Sequence, residues 1–161
     1  MDRCNAPMEE YLLRLDSLGP DKLSVDLKTI LGMGFIEQLG GVFFRRFFTE
    51  SVASILTAGN YFDLSGLEFT TNKFHVEDYC NGQNEFESAL IFLNAFTESW
   101  QQKFPSKTCN AVTSFQVDAE LGNIATFSFY VERPGQDVID VHKISEFENA
   151  TYVKRIVAAN L

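Results

Sequence analysis

The sequence predicts an α+β fold in which N-terminal helices and one long central helix pack on an antiparallel β-sheet. Apolar residues recur at helical spacing over 84–104, and two strand-like segments, 111–117 and 124–131, are joined by a short loop that contains Gly and Asn. Strands joined in this way form hairpins, and helices that precede hairpins are typical of the α+β class. A chain of 161 residues can fold as a single globular domain, 1–161, without disulfides or metal.

Two helices are predicted near the N-terminus. Residues 8–18 place three leucines on one helical face, and a Gly-Pro pair ends the pattern. Those leucines are Leu12, Leu15 and Leu18. A second helix begins after Ser24, a residue type that favours the N-cap position, and continues to about Leu31, where two glycines weaken it.

The next two segments are predicted as a helix and a strand. Over residues 42–58 the phenylalanines recur at helical spacing, so Arg45 and Arg46 are expected to point away from the phenylalanine face. Residues 66–79 resemble a strand in which the apolar residues change face, and a hairpin turn is therefore expected around 71–73.

The helix 84–104 and a last strand complete the predicted fold. Asn84 is placed to cap the first turn, Glu87 stands where a capping box has its acid, and Pro105 ends the helix. At about 1.5 Å per residue this helix is roughly 30 Å long, enough to cross a whole sheet. After the second strand we expect a loop or short helix, followed by a closing strand over 150–158.

The formal charge of −9 is unevenly spread, since residues 59–98 hold seven acidic residues and a single base, Lys73. Such a field repels nucleic acid and anionic membranes and attracts basic proteins, so neither nucleic acid nor membrane is an expected partner. The alternative is that acidity only keeps an aromatic-rich chain in solution. Phenylalanines flank Arg45 and Arg46 as in some nucleic-acid sites, but two arginines are few in so acidic a chain.

Cysteine usage and the N-terminal residues predict a cytoplasmic protein. Cys4, Cys80 and Cys109 are odd in number, widely spaced and without a CxxC motif, which is typical of a reducing compartment. The first residues show no basic start followed by an apolar run, so no signal peptide is expected. No apolar stretch approaches the roughly 20 residues of a membrane span.

The segment FHVEDYC at 74–80 carries side chains that catalytic and metal sites use. As a strand it would place His75 and Glu77 on one face, but zinc needs three or four ligands. The other histidine, His142, stands near Asp140, and nothing in the spacing brings the two segments together. No nucleophile elbow, HExxH, P-loop or dinucleotide fingerprint is present. The sequence therefore predicts no catalytic residue, no metal and no cofactor.

The C-terminal third resembles a known family in the order of its predicted elements and in composition. In FSFYVERPGQDVIDVHKISEFENATYVKRIV, a strand ends in Arg-Pro-Gly, an acidic and apolar segment follows, and a last strand closes the chain. Together with the long helix that ends in Phe104-Pro105, roughly residues 60–157 resemble the small immunity proteins of bacterial contact-dependent growth inhibition.

This resemblance implies a non-enzymatic, cytoplasmic protein that binds one toxin domain, often a nuclease with a basic cleft, and blocks it. Carboxylates would occupy the cleft where phosphates bind, or cover a nearby surface, and electrostatic attraction would speed association. Two acidic clusters are expected to contact the toxin. They are Glu77, Asp78, Glu85 and Glu87, and secondly Asp118, Glu120, Asp137 and Asp140.

A second hypothesis is a small enzyme or ligand-binding protein. A curved sheet covered by helices can enclose a pocket lined by Phe and Tyr, with His75 or His142 as an acid or base. A deep cavity with an ionisable group inside would favour this hypothesis. An adaptor in a larger assembly is a third possibility.

Overall fold

A computed structural model confirms the α+β fold and describes residues 2–14 and 20–159. These residues form seven strands and five α-helices. The strands are β1 (Arg3–Cys4), β2 (Phe35–Gln38), β3 (Gly41–Phe44), β4 (Phe74–His75), β5 (Cys109–Asp118), β6 (Gly122–Val131) and β7 (Ala150–Ile156). The helices are α1 (Ala6–Arg14), α2 (Val25–Met33), α3 (Glu50–Ala58), α4 (Leu64–Thr71) and α5 (Glu85–Lys103). Short 3-10 helices span Pro20–Lys22, Val76–Asp78 and Ile144–Glu146.

The main sheet is antiparallel and has the strand order β1-β7-β5-β6-β4. Its centre is the β5–β6 hairpin, which stays in register from Cys109 opposite Val131 to Asp118 opposite Gly122. Strands β2 and β3 form a separate hairpin. Leu39 and Gly40 at its turn both have positive φ, as a two-residue type I′ turn requires.

The core lies between α5 and the inner face of the main sheet. Rings from α5, from the β2–β3 hairpin and from β6 interlock there, with Phe44 and Phe129 centred 4.9 Å apart and Phe92 and Phe127 4.8 Å apart. Trp100 is fully buried, and its indole N–H donates to the carbonyl of Lys107 at 3.0 Å. Since rings of this size dominate core energetics, these contacts account for the use of so many phenylalanines.

A smaller apolar cluster lies on the opposite, outer face of the sheet. It contains Val112, Tyr130, Ile144 and Val153, and the segment after β6 packs against it. The outer face is therefore only partly covered. The remainder of that face carries hydroxyl side chains.

The predicted helix over 42–58 is wrong in its first half. Residues 41–44 form β3, and α3 begins only after Thr49, whose side chain accepts a hydrogen bond from the N–H of Val52 at 3.3 Å. Phe44 enters the main core, whereas Phe43 packs on Phe48 at 5.1 Å. Phe43 and Phe44 are both buried although they are adjacent in a strand, so the phenylalanines of this segment have the spacing of a helical face. Arg45 and Arg46 are exposed, as expected.

The predicted strand over 66–79, with its turn at 71–73, is also wrong. Asp63 caps α4 through a 2.6 Å bond from the N–H of Gly66, and only Phe74–His75 forms a strand, β4. The buried side of α4 carries polar residues. These are Ser65, Glu68 and, just past the helix end, Asn72. This helix therefore lacks the apolar periodicity by which a helix is recognised in a sequence.

The other predicted elements are confirmed. Ser24 and Asn84 cap α2 and α5, accepting bonds from the N–H groups of Leu27 and Glu87 at 3.2 and 2.8 Å. The strand predictions correspond to β5, β6 and β7. The first predicted helix corresponds to α1, but Leu15 and Leu18 lie outside the described residues.

Candidate functional site

Glu77 lies beside the start of β6. Its Oε2 accepts a hydrogen bond from the N–H of Ala125 at 3.0 Å, and its Oε1 lies 2.9 Å from Nδ1 of His75. The carboxylate therefore occupies a place where a neighbouring strand would offer a carbonyl. His75 is about half exposed, and the neighbouring Asp78 is exposed.

The first turn of α5 carries two more carboxylates, Glu85 and Glu87. Oε2 of Glu85 lies 3.4 Å from Nδ2 of Asn123 at the start of β6. Glu87 pairs with Nζ of Lys22 at 3.2 Å. Acidic side chains are favourable at a helix N-terminus, where the backbone N–H groups leave a partial positive charge.

The β5–β6 turn adds a third acidic segment. Oδ1 of Asp118 accepts bonds from the N–H groups of Glu120 and Leu121, both at 2.8 Å. These bonds, that from Leu121 first, lower the pKa of the Asp118 carboxyl. Glu120 is exposed. Asp118 thus shapes the turn, while Glu120 is presented to solvent.

These three segments meet at one end of the sheet, which we call the acidic end. It consists of Glu77, Asp78, Glu85, Glu87, Asp118 and Glu120. The stretches that build most of it, 74–102 and 108–132, contain no lysine or arginine. Val117 and Leu121 are 66% and 76% exposed in the same turn region, so apolar side chains lie among the carboxylates.

The structure separates the second predicted cluster. Asp118 and Glu120 lie at the β5–β6 turn. Asp137 lines the same hollow as Tyr130, near the other end of β6. Eight residues of extended strand separate the two places by about 27 Å. Asp140 lies with the Asp137 segment, where its Oδ1 accepts a bond from the N–H of His142 at 3.0 Å.

The negative charges differ in how far the chain neutralises them. Glu87 pairs with the ammonium of Lys22 and Glu77 contacts the imidazole of His75, whereas Asp78, Glu85 and Glu120 pair with no described cationic side chain. Glu68, one of the seven acids between residues 59 and 98, is fully buried against Arg133 and is not part of any surface. The sequence did not reveal its role, although its i,i+4 spacing from Asn72 was a usable signal.

The two histidines lie apart. His75 is opposite Thr126 on β6, while His142 borders a hollow that also contains Tyr130 and Arg155. Within residues 2–14 and 20–159, no three His, Cys, Asp or Glu side chains are close enough to hold a metal ion. Burial raises the pKa of the Cys4, Cys80 and Cys109 thiols, which disfavours the reactive thiolate.

The fold and the acidic end describe an α+β domain with a strongly polarised surface. The chain belongs to the Uncharacterized protein PM0498 family, whose model matches residues 3–158. It is similar to Uncharacterized protein PM0498 of Pasteurella multocida (strain Pm70), with 33% identity over 96 residues, which is 60% of each chain. The chain thus spans about 60% of the length of the curated relative that it matches. No solved structure matches it.

None of the helices within residues 2–14 and 20–159 combines the length and the apolar character that crossing a membrane requires.

Proposed function

We propose that this chain is a cytoplasmic immunity protein that binds a cognate bacterial toxin domain through its acidic end and blocks it without catalysis. The observation that carries the proposal is that carboxylates from three separate segments lie at one end of the sheet, where Val117 and Leu121 are exposed. A nuclease-type toxin with a basic cleft offers the complementary surface.

Charge and apolar contact have different tasks in such a complex. Asp78, Glu85 and Glu120, which lack a cationic partner among the described residues, supply the field that steers a basic domain toward this end. Val117 and Leu121 supply apolar area that leaves water on docking, and such buried contacts slow dissociation. Charge therefore governs the association rate, and the apolar pair governs the lifetime of the complex.

The test uses the protein encoded by the gene next to that of this chain, which the proposal expects to contain the toxin domain. Co-expression of the wild-type chain should rescue growth of cells that express the toxin domain. In a binding assay, the Asp78→Lys, Glu85→Lys, Glu120→Lys variant should associate at least tenfold more slowly at low salt. The wild-type rate should fall as salt increases, because the attraction is screened beyond about 8–10 Å.

A matched control is available at the other end of β6. Asp137→Lys with Asp140→Lys reverses two surface charges away from the acidic end, against three in the test variant, and it should leave growth rescue and the salt dependence close to wild type. If the neighbouring toxin domain does not bind the wild-type chain, the immunity function is wrong. If it binds but the triple reversal changes nothing, the acidic end is not the docking surface.

The alternative of a ligand-binding protein changes in form. The phenylalanine rings of the core contact one another, so they fill the space in which a sealed aromatic pocket was expected. A hollow large enough for a small molecule lies on the outer face of the sheet instead.

A further inference from the structure

A groove of about 390 Å³ crosses the outer face of the main sheet, on the side away from α5. This volume falls within the range of small-molecule sites. Its floor consists of outward-facing residues of β5, β6 and β7, and its walls come from α4 and from the segment between β6 and β7. The groove is a different place from the acidic end.

Hydroxyl groups form a row across the floor. Thr126, Ser114 and Thr151 are direct register partners on three adjacent strands and therefore lie side by side. Oγ of Ser114 and Oγ1 of Thr126 are 2.7 Å apart, so one of them donates to the other. The accepting hydroxyl keeps a proton for which no described residue provides an acceptor. That proton is a free donor at the bottom of the groove.

Two opposite charges border the groove without meeting each other. Lys73, just before β4, and Glu148, just before β7, both line it and both are exposed. Neither forms an ion pair with a residue that the structure describes. The ammonium of Lys73 and the free hydroxyl therefore offer donors, while the carboxylate of Glu148 offers an acceptor for a cation.

Apolar surface completes the lining. The ring of Phe147 is 36% exposed at the rim, and Phe69 and Ile139 are half-buried in the walls. A phenylalanine ring left partly in water beside a groove gains free energy when an apolar group covers it. The lining thus combines one cation, one anion and an apolar wall.

We propose that this groove binds a small zwitterion with an apolar side chain, namely a free α-amino acid. Its carboxylate bonds to Lys73 and to the free hydroxyl of the Ser114–Thr126 pair. Its ammonium faces Glu148, and its side chain covers Phe147 and Ile139. The proposal is independent of toxin binding, since it uses none of the acidic-end residues.

Three related compounds separate the contributions of the two charges. L-Phenylalanine carries both charges, 3-phenylpropanoate only the negative one, and 2-phenylethylamine only the positive one. A titration followed by backbone amide NMR should give a Kd on the order of 1 mM for L-phenylalanine, as expected of a small ligand in an open groove. The shifts should include the amides of Ser114, Thr126 and Thr151. Each singly charged compound should bind about tenfold more weakly.

Variants of the chain provide the second arm. Lys73→Gln should weaken L-phenylalanine binding about tenfold and leave 2-phenylethylamine binding unchanged. Glu148→Gln should weaken 2-phenylethylamine binding and leave 3-phenylpropanoate binding unchanged. Ser114→Ala with Thr126→Val should also weaken carboxylate binding. The exposed residues Lys28 and Glu98 provide matched controls as Lys28→Gln and Glu98→Gln, which should have no effect. Equal affinities for all three compounds, or the absence of saturable shifts at these amides, would overturn the proposal.

Discussion

Nη2 of Arg133 lies 2.7 Å from Oε1 of Glu68, a carboxylate that is completely buried beside α4. The same carboxylate accepts bonds from the backbone N–H groups of Val42 and Val131, at 2.7 and 2.8 Å. Val42 belongs to the separate β2–β3 hairpin, and Val131 to the end of β6. One side chain therefore joins two sheets whose strands do not pair.

Removing either member of this pair should destabilise the fold strongly. Glu68→Ala leaves two buried N–H groups without an acceptor and Arg133 without its carboxylate, and Arg133→Ala leaves a buried carboxylate without its cation. Each should lower the free energy of unfolding, measured in urea, by about 3–5 kcal/mol. The double variant should lose less unfolding free energy than the sum of the two single losses, because both substitutions remove the same ion pair.

The exposed pair formed by Glu132 and Arg155 provides the matched control. It has two bonds of 2.6 and 2.7 Å, but both side chains are more than one third exposed. Glu132→Ala and Arg155→Ala should each cost less than about 1 kcal/mol. A loss of that size for Glu68→Ala would show that the buried pair does not hold the two sheets together.

Asn72 makes a second link between the same two sheets. Its Oδ1 accepts from the N–H of Phe44 at 2.8 Å, and its Nδ2 donates to the carbonyls of Val42 and Phe129 at 3.1 and 3.3 Å. Asn72→Asp removes both donors and turns a negative oxygen toward two carbonyls. It should cost at least about 3 kcal/mol near neutral pH.

The pH dependence of Asn72→Asp tests the assignment of the donors. Relative to wild type, the loss should shrink from about pH 7 to about pH 4, because the protonated carboxyl regains one donor. Asn94→Asp, on the exposed side of α5, should stay within about 0.5 kcal/mol of wild type. A pH-independent deficit for Asn72→Asp would contradict the bond to the two carbonyls.

Two glycines should respond to alanine with opposite signs. A Cβ at Gly41 would lie 2.6 Å from Cε2 of buried Phe43, so Gly41→Ala should destabilise by about 1–3 kcal/mol. Gly32 lies inside α2 with nothing within 4 Å of an added Cβ, and Gly32→Ala should stabilise by about 0.5–1 kcal/mol. Thermal melting of the two variants measures both effects, and a neutral Gly41→Ala would mean that the Phe43 ring is free to move.

Stability should fall in alkali in a way that depends on Tyr130. Burial raises the pKa of this phenol from 10.0 to about 12, so its contribution to stability is complete below pH 10 and is lost as the pH rises toward 12. Burial raises the pKa values of Tyr152 and Cys109 in the same direction. Tyr130→Phe should therefore show a smaller loss of unfolding free energy between these pH values, together with the disappearance of one late-titrating phenol from the tyrosinate absorbance. An unchanged alkaline loss would refute the role of Tyr130.

The elements that could be predicted are those whose buried side is apolar and whose ends carry local signals. In α5 the apolar residues recur over five turns and Asn84 supplies the cap, while β5 and β6 alternate on either side of a turn with Gly122 at positive φ. These signals act between residues a few positions apart. They can therefore be recognised without knowing what the element packs against.

Two elements could not be predicted because their partners are distant in the chain. The buried side of α4 is polar, and it is stable there only because Glu68 and Asn72 meet backbone groups of β3 and β6. In β3 both Phe43 and Phe44 are buried, on different neighbours, so the alternation expected of a half-exposed strand is absent.

By itself, the sequence determined the fold class, the long helix, the central hairpin and the surplus of acidic residues, because composition and short-range periodicity encode them. Only the tertiary structure decided where those acids are, since strand register and helix placement bring Glu77, Glu85 and Asp118 together, carry Asp137 away and bury Glu68. The physical reason is that a carboxylate's surroundings depend on contacts between segments far apart in the chain. Those contacts also create the hydroxyl-lined groove between Lys73 and Glu148.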